Sequence, residues 1–442
     1  MTLRRQEFDR RPLVAITVGL IAGLSGHWIG AAFLLAALAI AIRPGVRLAI
    51  LAAGVLGLFL MPTPAAPLSD KAEFAGEGRV ASVPRIYPEV TTFVFESRGL
   101  RLMATAQGPA HVSVGDQLKV DGSIKPPSVP SARLYADRGL NGRLKITHCE
   151  KTATGPLIYA WADAWRWSFL DFAQRTLAPN RAAVASALAF NLDSLLDDGQ
   201  NEAFRRGGTL HIVSASGAHV AMIAASLAMI LGLTPLPRGA QVGLLALILA
   251  FYAVTAGLGP PIVRSAIMGI LLGSAYLWRR EGDFASALAT AAILILLWNP
   301  HALRDMGFQL SFVTVGMMGL FGGSSALRQG LVASAASMPL VAYHFGQIPL
   351  LALPANILIA LGVGVATVGG MAAHLLSLVW FAGGALLMQW LVGPSVAFVE
   401  EASRWVGAPE WAVLRCPEIP AWLIAAFYAG LLACWRPKRR DV

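Results

Sequence analysis

A chain of 442 residues that is 56% hydrophobic and 14% charged, with a mean hydropathy of +0.61, is too apolar for a soluble protein of this size. It reads as a polytopic α-helical membrane protein. The net charge of +10 does not by itself point to nucleic acid, because membrane proteins collect Lys and Arg on cytoplasmic loops. Cys149, Cys416 and Cys434 match neither a zinc-ligand spacing nor a disulfide framework.

The chain opens on MTLRRQEFDRR followed by LVAITVGLIAGL, a basic flank before an apolar run. More apolar runs follow at once and no small-residue cleavage site stands out, so the first run is read as a retained helix. Residues 1–67 are assigned to N-terminal transmembrane helices, with apolar runs at about 13–29, 30–42 and 47–61. Arg4, Arg5, Arg10 and Arg11 precede the first run, while Arg43 and Arg47 lie between the second and third. Both groups are cytoplasmic only if all three runs cross, which places the next segment outside.

That segment, 68–152, differs in kind. After the proline-rich MPTPAAPLSD it shows short alternating runs, GEGRVASV, TTFVFES, LRLMATA, DQLKVDGSI and NGRLKIT, punctuated by Gly, Pro and Asp. The pattern predicts a small antiparallel β domain of about five strands, suited to a closed OB-like barrel as to other small barrels. Residues 153–208 follow as interfacial amphipathic helices, since PLIYAWADAWRWSFLDFAQRTL mixes aromatic residues with charges and ASALAFNLDSLLDDGQNEAFRRGG is too polar to span.

Residues 209–436 form the main membrane block, followed by a basic cytoplasmic tail at 437–442. Its candidate spans bring the total to about 10–12, the first of them at about 209–232 and a late one at about 371–392. Arg238, Arg279, Arg280, Arg328 and RPKRR then all fall in the cytoplasm, and about 394–419 becomes an outer interfacial segment. TAGLGPPIVRSAIM and HFGQIPLLALPANILIALGVG are read as unwound or re-entrant. Irregular backbone at membrane depth is tolerated only where protein buries it or water reaches it, so a cavity in the bundle is expected.

The polar residues of these spans carry the functional question. In HIVSASGAHV, residues 211–220, Ser216 and His219 are three apart and share a helical face, with His211 about two turns back. Three readings stand: a serine–histidine hydrolase, close helix packing through Ser214, Ser216 and Gly217, or the wall of a hydrophilic path. A nucleophile elbow needs Gly at 214, where Ser214 stands, and no carboxylate lies nearer in sequence than Glu202 and Asp198. Arg264, just after Pro260 and Pro261, either snorkels to the interface or faces the cavity. WNPHALRDMGFQLSF carries Arg304 and Asp305, read as a surface pair, then Gln309 and Ser311 inside the span. His344 and Asn356 flank the most broken region and are assigned to the cavity. No P-loop and no H-E-x-x-H is present, so neither a motor nor a hydrolytic metal site is expected.

Taken together and in order, AFRRGGTLHIVSASGAHVAMI, GPPIVRSAIMGIL, WNPHALRDMGFQLSFVTVGMMGL and HFGQIPLLALPANILIA resemble the ComEC family of bacterial DNA-uptake channels. They are similar to that family's Ser-Gly-x-His motif, Arg-Ala-x-x-Met helix, Gly-Phe-Gln-Leu-Ser-Phe span and Pro-x-x-Asn segment. Two places depart from it: AFNLDSLLDDG, where the family usually has a Gly-Asp/Glu-Arg stretch, and Ser265, where it usually has Ala. Family members often carry a metallo-β-lactamase-like domain after the last span; here RPKRRDV follows it, and nuclease activity is not carried over.

The resemblance implies an inner-membrane channel that imports single-stranded DNA in natural transformation, with no catalytic residue, metal or cofactor. An intramembrane hydrolase using Ser216 and His219, or a diverged carrier for another hydrophilic cargo, are the alternatives. His211, Ser214, Ser216, Gly217, His219, Arg264, Gln309, Ser311, His344 and Asn356 would line or brace the DNA path. On the OB-like domain, Arg79, Arg85, Arg98, Arg101, Lys119 and Lys125 are the candidate phosphate partners. Tyr87, Phe93 and Phe95 are available to stack on bases; Phe93 and Phe95, spaced by two, equally suit the core face of a strand. The implied partners are the single DNA strand, the lipid bilayer, a DNA receptor, an uptake ATPase and a separate nuclease, with homo-oligomerisation open.

Overall fold

A computed structural model describes residues 11–25, 44–60, 68, 71–87, 89–108, 112–128, 132–213, 216–323, 325–417 and 419–434. The apolar run expected at 30–42, Ser214 and the basic tail at 437–442 lie outside these residues. Helices α1 (Pro12–Ser25) and α2 (Pro44–Phe59) come first. Strands β1 (Ala72–Val80), β2 (Arg85–Ile86), β3 (Val90–Ser97), β4 (Leu100–Gln107) and β5 (Gln117–Lys125), the short α3 (Ala132–Asp137) and β6 (Gly142–Ala153) follow. The chain continues through α4 (Leu157–Thr176), α5 (Pro179–Phe190), α6 (Asp198–Arg206), the one-turn α7 (Leu210–Val213), α8 (Gly217–Gly232) and α9 (Arg238–Thr255). Next come α10 (Pro260–Leu277), α11 (Phe284–Trp298), α12 (Met306–Phe321), α13 (Ala326–Phe345) and the strand β7 (Gln347–Pro349). The long helices α14 (Ala352–Ser377) and α15 (Phe381–Gly407), strand β8 (Val413–Arg415) and α16 (Ala421–Cys434) complete it.

The chain divides into two compact units, one comprising Met1–Thr63, Val263–Ile348 and Val413–Val442, the other Pro64–Ile262 and Pro349–Ala412. In the first, α1 and α2 pack so closely that a Cβ on Gly19 would stand 2.4 Å from the Ile50 carbonyl oxygen, the approach that small residues permit between membrane helices. Leu20, Leu24, Ala53, Ile295, Leu296, Ala302 and Phe308 form its core. β7 pairs with β8, and the Cys416 N–H extends the ladder to the Gly346 carbonyl at 2.9 Å.

The second unit holds the barrel. β1 pairs with β5, β5 with β6, β6 with β4 in parallel, β4 with β3, and β3 returns to β1, so five strands close on themselves. This is an OB-like barrel, as the alternating runs predict. Phe93 and Phe95 are buried in its core with Leu102, Leu118, Val120 and Leu144, so of the three aromatic stacking candidates only Tyr87 stays partly open. Gly122 sits where the β5–β6 register slips; a Cβ there would lie 2.2 Å from the Lys145 carbonyl oxygen, which is why the bulge needs glycine.

Two helical expectations change. No helix boundary occurs before Pro394, where the segment expected to be interfacial over 394–419 begins: α15 runs on to Gly407. Pro394 is accommodated because a π-helical turn over Met388–Val392 precedes it, relaxing the hydrogen-bond ladder that a proline interrupts. Within 153–208, α4 does leave Leu157, Ile158 and Trp161 exposed, but α5 is buried along the whole of Ala182–Phe190, its alanines allowing close approach on every side.

Among the described residues, α9, α10, α14 and α15 are long and apolar enough to cross a membrane. Pro12–Ala22 of α1, together with α8, α11 and α12, are apolar but shorter. The molecule is therefore a mostly helical membrane protein with one small closed barrel, with fewer full-length spans among these residues than the 10–12 expected. Polar caps and Gly/Pro breaks cut the apolar runs short: α8 begins only at Gly217, not at 209, and α11 stops before Asn299-Pro300.

Candidate functional site

Arg264 lies one turn into α10, whose start is set by Pro260 and Pro261, residues suited to a first helical turn. Its side chain does not snorkel: it is only 6% exposed. The guanidinium donates to Ser311 Oγ at 2.7 Å and Ser265 Oγ at 2.8 Å, touches Met268 Sδ at 3.4 Å, and stands 6.0 Å from the centre of the Phe312 ring. No carboxylate pairs with it among the described residues. Ser265, one of the two departures from the ComEC pattern, supplies an acceptor that alanine would lack.

A second polar pair joins α12 to α13. His344 Nε2 and Gln309 Oε1 are 2.9 Å apart, and Gln309 Nε2 donates to the Leu303 carbonyl at 3.0 Å. With Gln309 accepting, the shared proton is assigned to His344 Nε2. Asp305 is not paired with Arg304; it caps α12, accepting the Phe308 N–H at 3.0 Å. Four of the predicted path residues, Arg264, Ser311, Gln309 and His344, thus form two contacts within one unit.

In the other unit, HIVSASGAHV is not one helix. Ser216 is the N-cap of α8 and His219 is its third residue. His219 Nδ1 accepts the Ser216 N–H at 3.0 Å and lies 3.1 Å from Ser216 Oγ. The arrangement is a capping box in which histidine takes the place usually held by Glu or Gln. The S-x-x-H spacing was the available signal for it. His219 Nε2 is buried without a partner, so no carboxylate orients the ring as a hydrolytic triad requires. Gly217 is buried in the first turn, whereas His211 is exposed on α7.

Asn356 Oδ1 is also buried without a partner, as are Ser186 Oγ, Thr367 Oγ1 and both ring nitrogens of His374. None of these last three residues stood out in the sequence, because each sits singly in an apolar run. Glu400 was missed because it lies beside Glu401 in a segment read as interfacial; it is 7% exposed, accepts from Gln200 Nε2 at 3.2 Å and pairs with Arg404 at 3.2 Å. No group of three or more His, Cys, Asp or Glu able to hold a metal occurs among the described residues.

The barrel cations separate into two kinds. Arg79 is engaged by Glu96 at 2.9 Å, Arg98 occupies a left-handed turn between β3 and β4, and Lys119 and Lys125 are exposed on β5. Arg85 and Arg101 instead line a cavity of about 480 Å³ within this unit, together with Arg138 and Arg166.

Residues 188–440 match the competence protein family. Over 206 residues, 44% of this chain, the sequence is 30% identical to ComE operon protein 3 of Bacillus subtilis (strain 168). Over 183 residues, 37% of this chain, it is 36% identical to competence protein ComA of Neisseria gonorrhoeae. Each match spans 26% of the relative's own length. No solved structure matches the chain significantly. The family match covers more than half of the chain and includes the helices that carry Arg264, Gln309, Ser311 and His344, and the chain belongs to the competence protein family.

Proposed function

We propose that this protein is a channel for import of a single DNA strand across the inner membrane during natural transformation. Both termini lie in the cytoplasm and the barrel outside. The observation that carries the reading is Arg264, a guanidinium buried in an apolar helix with no counter-ion among the described residues. Burying an unpaired charge costs several kcal/mol, and a passing phosphate offsets that cost. Family membership and the competence name of the Neisseria gonorrhoeae relative agree with this use.

The buried, unpartnered polar atoms of Ser186, His219, Asn356, Thr367 and His374 support a hydrophilic path. Neutral groups satisfy a moving polyanion transiently without trapping it. The remaining roles in the path fall to Ser214, Ser216, Gly217, His211, Gln309, Ser311 and His344. A DNA receptor, an uptake ATPase and a separate nuclease are the proposed partners. The test is complementation of a strain lacking the gene, scored by transformation frequency and by labelled DNA reaching the cytoplasm. Restoration of both by the intact chain is expected; transformation unaffected by loss of the gene would overturn the reading.

A further inference from the structure

The arginine-lined cavity has the barrel on one side and helices on the other. On the barrel side stand Arg85 and Tyr87 of the β1–β3 connection, Arg101 of β4, and Arg138 between β5 and β6. The facing wall holds Arg166 of α4 and the loop that includes Ala256, Gly257 and Gly259. That loop joins α9 to α10, both long and apolar enough to cross a membrane, and a loop between two spans sits where the hydrocarbon ends. Asn191 Nδ2 donates to the Ala256 carbonyl at 3.3 Å, which ties the loop to the end of α5. Helix α4 marks the same level. Leu157, Ile158 and Trp161 are exposed in its first turns, an apolar edge with a tryptophan suited to the headgroup boundary. Arg166 follows Trp161 by ~7.5 Å of helix, about the depth of one headgroup layer.

Among the described residues, four arginines and no acidic residue line the cavity, and no carboxylate pairs with Arg85, Arg101 or Arg138. Arg166 is held by Asp163, whose carboxylate also accepts the Ser113 hydroxyl and lines a separate, adjoining cavity. Like charges converging on one space repel unless an anion occupies it, and guanidinium forks match phosphate oxygens. The aromatic lining decides which phosphate fits. A groove for a nucleic-acid strand offers successive exposed rings on which bases stack. Here Phe93 and Phe190 are each only 1% exposed, which leaves Tyr87 alone partly open. A phospholipid headgroup presents a phosphodiester with no base to stack, and a cavity of about 480 Å³ suits one small ligand.

We propose that this cavity binds the headgroup of an anionic phospholipid, with Arg85, Arg101, Arg138 and Arg166 holding its phosphate, and so seats the barrel on the bilayer surface. Basic pockets beside membrane helices recognise acidic headgroups in this way. The lipid enters from the surface that α4 and the α9–α10 loop already share, and its acyl chains stay in the hydrocarbon. A zwitterionic headgroup brings an ammonium beside its phosphate, which four cations repel; the site therefore selects phosphatidylglycerol over phosphatidylcholine. Arg85 and Arg101 thereby become lipid contacts. The proposal goes beyond the channel reading and does not depend on it, since it needs only a membrane protein whose barrel stands beside the α9–α10 loop.

The test uses the full chain, purified in detergent and stripped of lipid, titrated with dioleoyl phosphatidylglycerol or dioleoyl phosphatidylcholine; bound lipid is counted by native mass spectrometry. The unaltered chain is expected to bind phosphatidylglycerol about tenfold or more tightly than phosphatidylcholine. Arg85→Gln with Arg138→Gln, both at exposed positions, is expected to weaken phosphatidylglycerol binding by about tenfold or more. Its phosphatidylcholine binding, which reports an intact fold, should stay within about twofold. The control, Lys145→Gln with Arg175→Gln, removes the same charge from exposed positions outside the lining and should keep phosphatidylglycerol affinity within about threefold. Equal loss in both pairs, loss in neither, or an unaltered chain with no preference between the two lipids would overturn the proposal. The bound lipid is expected to withstand competing inorganic phosphate and an oligothymidylate. Displacement by phosphate would make this a site for the free anion, and displacement by the oligonucleotide a site for nucleic acid; either overturns the lipid assignment and leaves the channel reading untouched.

Discussion

Replacing Arg264 by methionine separates function from stability in a direction that ordinary core mutations do not. Arg264→Met keeps most of the side-chain length and removes the charge. The lost hydrogen bonds to Ser311 and Ser265 are charge-assisted and worth about 1.5–3 kcal/mol each. Against this, a buried guanidinium without a counter-ion carries an effective penalty of several kcal/mol. The two contributions nearly cancel, and replacing buried charge by packed apolar groups is often neutral or stabilising by ~1–4 kcal/mol. The variant is therefore expected to melt in detergent at the same temperature as the unaltered protein or above it. Transport should move the other way. Loss of one charge-assisted contact to a phosphate is worth about tenfold to a hundredfold in rate or affinity, so transformation frequency should fall by at least tenfold at equal membrane abundance. A lowered melting temperature combined with normal transformation would refute the argument, because it would make Arg264 a structural brace.

Other outcomes follow from single residues. His219→Gln keeps the capping acceptor and should retain both stability and transformation. His219→Leu leaves the Ser216 N–H unsatisfied and should cost about 1–3 kcal/mol; loss of activity in the glutamine variant, or labelling of Ser216 by a fluorophosphonate probe, would revive the hydrolase reading. Gly122→Val places a Cβ against the Lys145 carbonyl and should cost about 1–3 kcal/mol or more, seen as protease cleavage within 68–152; an unchanged digest would contradict the register. Burial pushes the Cys149 thiol up, and only the thiolate reacts. In a Cys416→Ser, Cys434→Ser background its alkylation should be slow at neutral pH and accelerate only above the ordinary thiol range; a half-maximal rate at or below about pH 8.5 would count against the burial.

Much of the architecture was legible from periodicity. Alternation with a period of two placed the barrel strands, but for Phe93 and Phe95 it left a core pair and a base-stacking pair both open, and burial in the barrel core decided between them. Long apolar composition marked a helical membrane block, but not where its helices stop. Helix ends depend on caps such as Ser216 with His219 and Asp305 with Phe308, and on the π-turn before Pro394, which are arrangements of single atoms rather than of composition. The continuation of α15 past Pro394 was misread for that reason.

By itself, the sequence determined the membrane class, the presence of a small β domain and the residue types that cannot be buried cheaply: Arg264, Gln309, His344 and Asn356 stood out because their polarity contradicts their surroundings. Only the tertiary structure decided what each of them meets. Pairing is a matter of distance across elements remote in sequence, so it took the fold to show that Arg264 meets Ser311 and, among the described residues, no acid, that Gln309 meets His344, and that His219 serves as a helix cap. The fold likewise sorted the barrel cations: Glu96 stands across the ladder from both Arg79 and Arg101 and its carboxylate engages Arg79, while Arg101 lines a cavity with Arg138 and Arg166, two residues whose sequence contexts carried no sign of it.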